Sequence, residues 1–188
     1  MVKQYLKVTY RKPGNVYLGV VHRLDRPTSG VLVFAKTSKA LARLNKLFFE
    51  GKTIKTYWAM TIQRPPKDEE HLTHWLVRNP KQNKSYAYDK EVGNSKKAIL
   101  TYRLLKRLNR YHLLEIDLKT GRHHQIRAQL NKIGCIIKGD LKYGAPRSNK
   151  DGSIHLHARR LTFLHPIKQE SITFLAPPPQ DAVWEACL

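Results

Sequence analysis

Cysteine and long apolar runs are scarce in this sequence. Only Cys135 and Cys187 are present, far apart and outside any Cys-x-x-Cys pair, which argues against a disulfide framework, a zinc ribbon and a redox motif. No stretch approaches the ~20 apolar residues that span a bilayer, and the amino terminus lacks the apolar segment of a signal peptide. We therefore expect a protein of the reduced cytoplasm without a membrane partner.

Acidic residues are also few. The chain carries 14 Asp and Glu against 35 Lys and Arg, a formal charge of +21 and a pI near 10.2. Such an excess is typical of proteins that bind polyphosphates, and the lack of a basic amphipathic helix with an aromatic face favours nucleic acid over a membrane surface. Hydrophobic residues still make up 41% of the chain. Without a repeat, composition shift or linker, the sequence predicts a single domain over residues 1–188.

Carboxylates are almost absent from the first 49 residues, which contain ten Lys and Arg but only one acid, Asp25. Asp25 lies in a loop that Pro27 and Gly30 separate from the apolar runs 16–21 and 31–35. Positive neighbours such as Arg23 and Arg26 favour an ionised carboxylate, which could act as a nucleophile or as a charge partner. A loop aspartate that only caps a turn is the alternative that the residues alone leave open.

A second charged element follows later in the chain. Helical spacing of apolar residues predicts a helix from Arg122 to Ile133, with His123 and Arg127 on one face beside the apolar stripe. A guanidinium at the edge of the core needs an anionic partner, and Asp25 is one of few candidates. The alternative for Arg127 is a surface charge at a helix end.

The pattern of elements indicates the fold class. Residues 53–62 predict a strand that places Tyr57 and Trp58 on opposite faces, and several other β-rich runs are joined by short connections. Strands outnumber helices and hairpins outnumber crossovers. We therefore predict an α+β fold, a mostly antiparallel mixed sheet with flanking helices. On this pattern alone, Tyr57 could equally be a packed strand tyrosine.

The nine histidines raise the question of a metal. His123 and His124 are adjacent, and His155 and His157 share a strand face, but no cysteine or carboxylate stands beside them at ligand spacing. We interpret them as structural residues or as contacts to nucleic acid, and predict no metal site. A metal-dependent nuclease, which would need clustered carboxylates, remains a less favoured hypothesis.

Four segments in order resemble one enzyme family. His22-Arg-Leu-Asp-Arg-Pro-Thr-Ser-Gly30 resembles the catalytic motif of the RluA family of pseudouridine synthases. Three further segments resemble that family's later motifs: Lys55-Thr-Tyr57, Thr120-Gly-Arg-His-His-Gln-Ile-Arg127 and Gly139-Asp-Leu-Lys-Tyr-Gly144. The resemblance runs from about Gly19 to Pro166 and implies the family's catalytic fold.

The resemblance also implies an activity and a site. It identifies Asp25 as the nucleophile in the isomerisation of a uridine in structured rRNA or tRNA, a reaction that uses no cofactor. The resemblance further implies that Tyr57 stacks on the flipped uracil and takes part in proton transfer, and that Arg127 pairs with Asp25. Basic residues that flank these three are the expected RNA contacts: Arg23, Arg26, Arg122 and His123.

One departure from the family concerns the amino end. Members usually begin with a strand and a loop carrying Asn-Lys-Pro-x-Gly, and Lys12-Pro13-Gly14 lies too close to Asp25 to replace it. We expect a catalytic domain that is short at its amino end, has no separate RNA-binding domain and is a monomer. A non-catalytic RNA-binding module that keeps the fold is the alternative function.

Overall fold

A computed structural model describes residues 1–187, which divide into two compact units. The first unit comprises residues 1–23, 32–53 and 163–172. The second comprises residues 24–31, 54–162 and 173–188, of which Leu188 lies outside the described residues. Asp25, Tyr57 and Arg127 all belong to the second unit.

The first unit contains two helices and a small sheet. Helix α1 covers Val2–Thr9 and α2 covers Ser38–Phe49, while β1 (Gly19–Val20) pairs antiparallel with β3 (Phe34–Ala35). Helix α2 begins where Thr37 Oγ1 accepts a hydrogen bond from the Ala40 amide at 3.1 Å, which leaves one of the free amide groups of the first turn satisfied. Within the apolar runs 16–21 and 31–35, only Gly19–Val20 and Phe34–Ala35 form strands, which are shorter than the β propensity of these runs predicts.

The large sheet confirms the predicted fold class. Its strands are β2 (Ser29–Gly30), β4 (Thr53–Thr61), β5 (Glu69–Asn79), β6 (Lys84–Tyr88), β7 (Lys96–Arg107), β8 (His112–Leu118), β9 (Leu156–Leu164) and β10 (Ser171–Leu175). The order is β10-β9-β4-β8-β7-β5-β6, and β2 adds to β9 as a parallel strand. The pairs β4–β8, β8–β7, β7–β5 and β5–β6 are antiparallel, so the sheet is mixed but mostly antiparallel.

The two faces of β4 lie in different environments. Alternation along the strand places Tyr57 and Ala59 against the core that also contains Ile126 and Leu130 of helix α3 (Gln125–Lys132). Trp58 packs in a separate cluster with Met60 and Trp184. This confirms the prediction that Tyr57 and Trp58 face opposite ways. The principal core is built from buried β4, β5, β7, β8 and β9 residues and from the helix.

Helix α3 covers Gln125–Lys132, three residues shorter at its start than the apolar spacing predicts. The Gln125 side-chain oxygen accepts hydrogen bonds from the Thr120 hydroxyl at 2.7 Å and the Arg122 amide at 3.0 Å, and His124 adopts a left-handed φ of 52°. These bonds hold residues 120–124 as a turn. The prediction that His123 shares a helical face with Arg127 is therefore wrong.

Two short helices complete the chain. A 3₁₀ turn spans Leu141–Tyr143, and helix α4 spans Ala182–Glu185, where Asp181 caps the first turn through bonds from the Val183 and Trp184 amides. None of the helices described for residues 1–187 is long and apolar enough to cross a membrane.

Candidate active site

The Asp25 loop is fixed by backbone hydrogen bonds at Asp25 and at the residues that follow it. The Thr28 amide donates to the Asp25 carbonyl at 2.8 Å, which closes a tight turn. The Ile154 amide then donates to the Pro27 carbonyl at 3.0 Å, and the Val31 amide to the Ala158 carbonyl at 2.9 Å. Asp25 is therefore held on a short loop whose far end is part of the sheet.

Gly30 permits this attachment because it has no side chain. It adopts a φ of +120°, and a Cβ at this position would lie 2.3 Å from the Ala158 oxygen and 2.5 Å from the Ala158 nitrogen. Next to it, Ser29 Oγ lies 2.8 Å from His157 Nδ1. His157 Nε2 faces the Ala176 carbonyl at 3.1 Å and must donate there, so its Nδ1 accepts the Ser29 proton.

We expect Gly30→Ala to displace the Asp25 loop. The added methyl group cannot fit against the Ala158 backbone, so the β2–β9 pairing must open, at a cost of about 1–3 kcal/mol in unfolding free energy. A displacement of about 1 Å at a reacting group can lower a rate about 100-fold, and we expect that loss in the pseudouridine formation that the family resemblance implies. Urea denaturation and single-turnover kinetics measure the two effects.

Gly93→Ala is the matched control, because a Cβ at Gly93 would meet no atom within 4 Å. We expect this variant to keep both stability and rate. If Gly30→Ala behaved like Gly93→Ala, the loop attachment described above would not position Asp25.

Arg127 is the charged centre of the site. Its Nε and Nη2 donate to the two carboxylate oxygens of Asp140, each at 2.7 Å, and its Nη1 lies 3.4 Å from Asp25 Oδ2. The side chains of Arg127 and Asp140 are 4% and 1% exposed, whereas that of Asp25 is 29% exposed. Arg127 is thus anchored by a buried carboxylate and directs its remaining edge to a carboxylate that solvent or a ligand can reach.

The protonation of Arg127 follows from these contacts. Burial alone would lower its pKa, but bonding to Asp140 and the nearby charge of Asp25 outweigh burial and raise the pKa above its usual value. The guanidinium is therefore a permanent positive charge beside Asp25.

His124 supports Arg127 from the side as a neutral ring. Burial, followed by the charge of Arg127, lowers the pKa of His124 to about 3, so its 3.6 Å contact with Asp25 is not an ion pair. Its Nε2 accepts from Arg127 Nη1 at 3.0 Å, which places the proton on Nδ1, where it is donated to the Tyr143 oxygen at 3.1 Å. The Tyr143 hydroxyl donates in turn to the Ser85 carbonyl at 3.0 Å. This chain of bonds fixes both the tautomer and the position of the ring.

Tyr57 belongs to the same site. Burial, together with the negative charge of Asp25, raises the pKa of Tyr57 to about 12. The phenol therefore keeps its proton at neutral pH and can donate a hydrogen bond to a group that enters the site. Arg127 is thus in contact with Asp25, and Tyr57 lies near enough for the Asp25 charge to raise its pKa. These are the three residues to which the family resemblance assigns catalytic roles.

The four predicted RNA contacts have different environments. Arg23 is exposed in the first unit, and Arg26 is exposed in the Asp25 loop of the second. Arg122 is exposed, and its Nε donates to the Lys97 carbonyl at 3.0 Å. His123 is half-buried, bonds Ser85 Oγ at 2.9 Å and stacks on His124 with ring centroids 3.9 Å apart.

Across residues 1–187, no three side chains of His, Cys, Asp or Glu converge as metal ligands would. His155 instead bonds Asn149 and Asp181 at 2.9 Å each and stacks on Trp184 at 5.2 Å.

Three residues of the site were not predicted from the sequence: Asp140, His124 and Tyr143. Asp140 and Tyr143 lie in the Gly139–Gly144 segment that carries the family resemblance, yet nothing in its spacing shows that its acid binds Arg127. The Arg127 guanidinium also lies over the Tyr143 ring at 5.0 Å. One signal was available, because a buried arginine has five donors to satisfy and Asp25 alone could not accept them all.

The fold resembles that of solved pseudouridine synthase domains. The structure of human RNA Pseudouridylate Synthase Domain Containing 4 matches with a TM-score of 0.80 at 24% identity, over 97% of this chain and 79% of that one. This likeness defines the class of fold.

Sequence comparisons give the family. Residues 3–132 match the family described as RNA pseudouridylate synthase. The chain is 34% identical over 171 residues to "Ribosomal large subunit pseudouridine synthase D" of Zymomonas mobilis, covering 87% of this chain and 53% of that protein. It is 30% identical over 203 residues to "tRNA pseudouridine synthase C" of Vibrio cholerae, covering 98% of this chain and 82% of that protein.

The chain therefore belongs to the RNA pseudouridylate synthase family, which confirms the resemblance to its RluA branch. It spans about half the length of several curated relatives, from 50% to 54%.

Proposed function

We propose that this protein is an RNA pseudouridine synthase in which Asp25 is the nucleophile. The observation that carries the proposal is the Asp25–Arg127–Asp140 cluster, in which a buried guanidinium held by one carboxylate contacts a second, accessible carboxylate at 3.4 Å. A carboxylate that served only to cap its own loop would need neither this partner nor this exposure. Family membership gives the class of reaction.

The reaction requires little beyond one nucleophile and proton transfer. The bond between N1 of uracil and C1′ of ribose breaks, the detached base turns, and C5 bonds to C1′. C5 then loses a proton and N1 gains one, so atoms and electrons balance without an oxidant or cofactor. Asp25 forms and later releases the covalent intermediate, through the sugar or through the base.

Tyr57 acts on the base in this proposal. Its ring stacks on the flipped uracil, and its phenol, which is protonated at neutral pH, donates a hydrogen bond or passes a proton during the rearrangement. Arg127 keeps Asp25 oriented through the steps in which the carboxylate changes charge.

The substrate in this proposal is structured rRNA or tRNA. The relatives include one synthase named for the ribosomal large subunit and one named for tRNA. Flipping a uridine costs roughly a few kcal/mol, which phosphate contacts from the strongly basic surface offset. Arg23, Arg26, Arg122 and His123 are the proposed contacts, and a reducing cytoplasm suits the two free cysteines, Cys135 and Cys187.

The direct test uses unmodified cellular RNA. The purified protein is incubated with the RNA, and pseudouridine is mapped by carbodiimide labelling and primer extension. We expect new stops at one or a few defined uridines. RNA that binds the protein but acquires no stop would contradict the proposal and favour a non-catalytic RNA-binding module, and RNA cleavage that depends on divalent metal would favour a nuclease.

A further inference from the structure

Lys55 lies in strand β4 two residues before Tyr57. Because side chains alternate along a strand, the two share the face that holds the candidate site, with α carbons about 6.6 Å apart. The Lys55 ammonium nitrogen lies 3.7 Å from where a Cβ on Gly121 would be. It is therefore next to the turn that carries Arg122 and His123.

Lys55 has no partner for its charge in the structure. Within residues 1–187 the ammonium makes no hydrogen bond, ion pair or ring contact, although the side chain is half-buried. Lys138, another half-buried lysine, differs in this respect, because its Nζ donates to Asn149 at 2.8 Å and lies 3.5 Å from His155. Burial without a partner lowers the pKa of Lys55.

An unpaired, half-buried ammonium has an energetic cost. Lysine carries a compact and strongly hydrated charge, and removing part of that hydration without supplying an acceptor destabilises the folded chain. The Lys55 ammonium, unpaired and on the same face as Tyr57, has the properties of a group that binds an anionic ligand. The anion that a uridine in RNA brings with it is its phosphodiester group.

We propose that Lys55 binds a phosphate group adjacent to the target uridine and holds the flipped nucleotide over Tyr57. This role rests on the proposed function, since it requires RNA in the site, but it concerns binding rather than chemistry. Phosphate contacts set the position of a nucleic acid on a protein, and one on the Tyr57 face would fix the nucleotide where its base must be turned.

The test compares Lys55→Met with the wild-type chain in equilibrium RNA binding. Losing one phosphate contact should reduce the slope of log Kd against log salt by about 0.7 to 0.9, so Kd should rise about tenfold at 50 mM salt and about fourfold at 200 mM. Lys67→Met is the matched control, because Lys67 is exposed and already paired with Glu70 at 2.7 Å. It should leave the slope nearly unchanged.

Modified RNA locates the contact. Methylphosphonates, which are neutral, replace the phosphates on the 5′ and 3′ sides of the target uridine one at a time. At one of the two positions the wild-type chain should lose affinity, and Lys55→Met should lose none beyond its own deficit. If the loss caused by each methylphosphonate simply added to the loss caused by Lys55→Met, at both positions, the proposal would be overturned.

Thermal unfolding separates this role from a structural one. Methionine fills nearly the same volume without a charge, so the melting temperature of Lys55→Met should equal or exceed that of the wild type. A lower melting temperature together with an unchanged salt slope would identify Lys55 as a structural residue and overturn the proposal.

The two proposals can fail separately. A wild-type chain that binds RNA but forms no pseudouridine would contradict the proposed reaction, while the Kd comparison would still decide the role of Lys55. Turnover by the wild type with an identical Kd and slope in Lys55→Met would overturn the Lys55 proposal alone. A wild type that bound no RNA would overturn both.

Discussion

Asp25→Asn should abolish pseudouridine formation while RNA affinity stays within about threefold of the wild type. Removing a nucleophile from a preorganised site lowers the rate by at least about 10⁴-fold. Binding should persist, or tighten slightly, because the change removes a negative charge facing a polyanion. The asparagine oxygen can still accept a hydrogen bond from Arg127, so the fold should be retained. Single-turnover rates, equilibrium binding and melting temperature measure these three expectations.

Asp89→Asn removes the same charge from a residue outside the Arg127 cluster. Asp89 is exposed and pairs with Lys132 at 2.8 Å. We expect this control to keep full turnover and to show any general effect of charge on affinity. Turnover by Asp25→Asn near that of Asp89→Asn would contradict the nucleophile role. If Asp25→Asn lowered both the melting temperature and the RNA affinity while Asp89→Asn lowered neither, Asp25 would be a structural residue.

Much of the fold could be predicted from local patterns. Side-chain alternation in residues 53–62 predicted that Tyr57 and Trp58 lie on opposite faces of the strand. In the structure they pack in two different clusters, as predicted. The requirement that a guanidinium beside the core has an anionic partner made Asp25 one of few candidates for Arg127, and the two side chains lie 3.4 Å apart. Such requirements can be stated from sequence because they depend on one residue and its surroundings.

Features that depend on long-range contacts could not be predicted. The Arg127–Asp140 bond joins a helix to a loop 13 residues later, and no periodicity links the two positions. The parallel pairing of Ser29 and Gly30 with β9 joins segments 128 residues apart. The predicted start of α3 was wrong by three residues, because the Gln125 side chain holds the preceding residues as a turn. Apolar spacing carries no information about such a side-chain bond.

These long-range contacts give the site its geometry. The Gly30 attachment positions the loop of Asp25, and Asp140 positions the Arg127 that faces it. His124, held neutral, fills the remaining side of the guanidinium without adding a competing charge. The accessible Asp25 carboxylate thus faces a guanidinium that is buried together with Asp140 and His124, an arrangement that supports a fixed and reactive geometry.

The second large effect concerns Asp140. Asp140→Ala should lower the free energy of unfolding by about 3–5 kcal/mol, because it leaves the Arg127 guanidinium buried without its bidentate partner. Asp25 would then be the remaining anion beside Arg127, and a guanidinium drawn toward it would alter the geometry of the nucleophile. We therefore expect turnover to be lost as well. Urea denaturation and single-turnover kinetics measure the two losses.

A second substitution tests the cause of the instability. Arg127→Met in the Asp140→Ala background removes the uncompensated charge, so the double variant should be more stable than Asp140→Ala alone while remaining inactive. Asp68→Ala is the control, because Asp68 pairs with Arg107 at 2.7 Å on the exposed surface and its loss should scarcely change stability. Equal effects of Asp140→Ala and Asp68→Ala, or no recovery in the double variant, would show that the buried pair does not hold the site together.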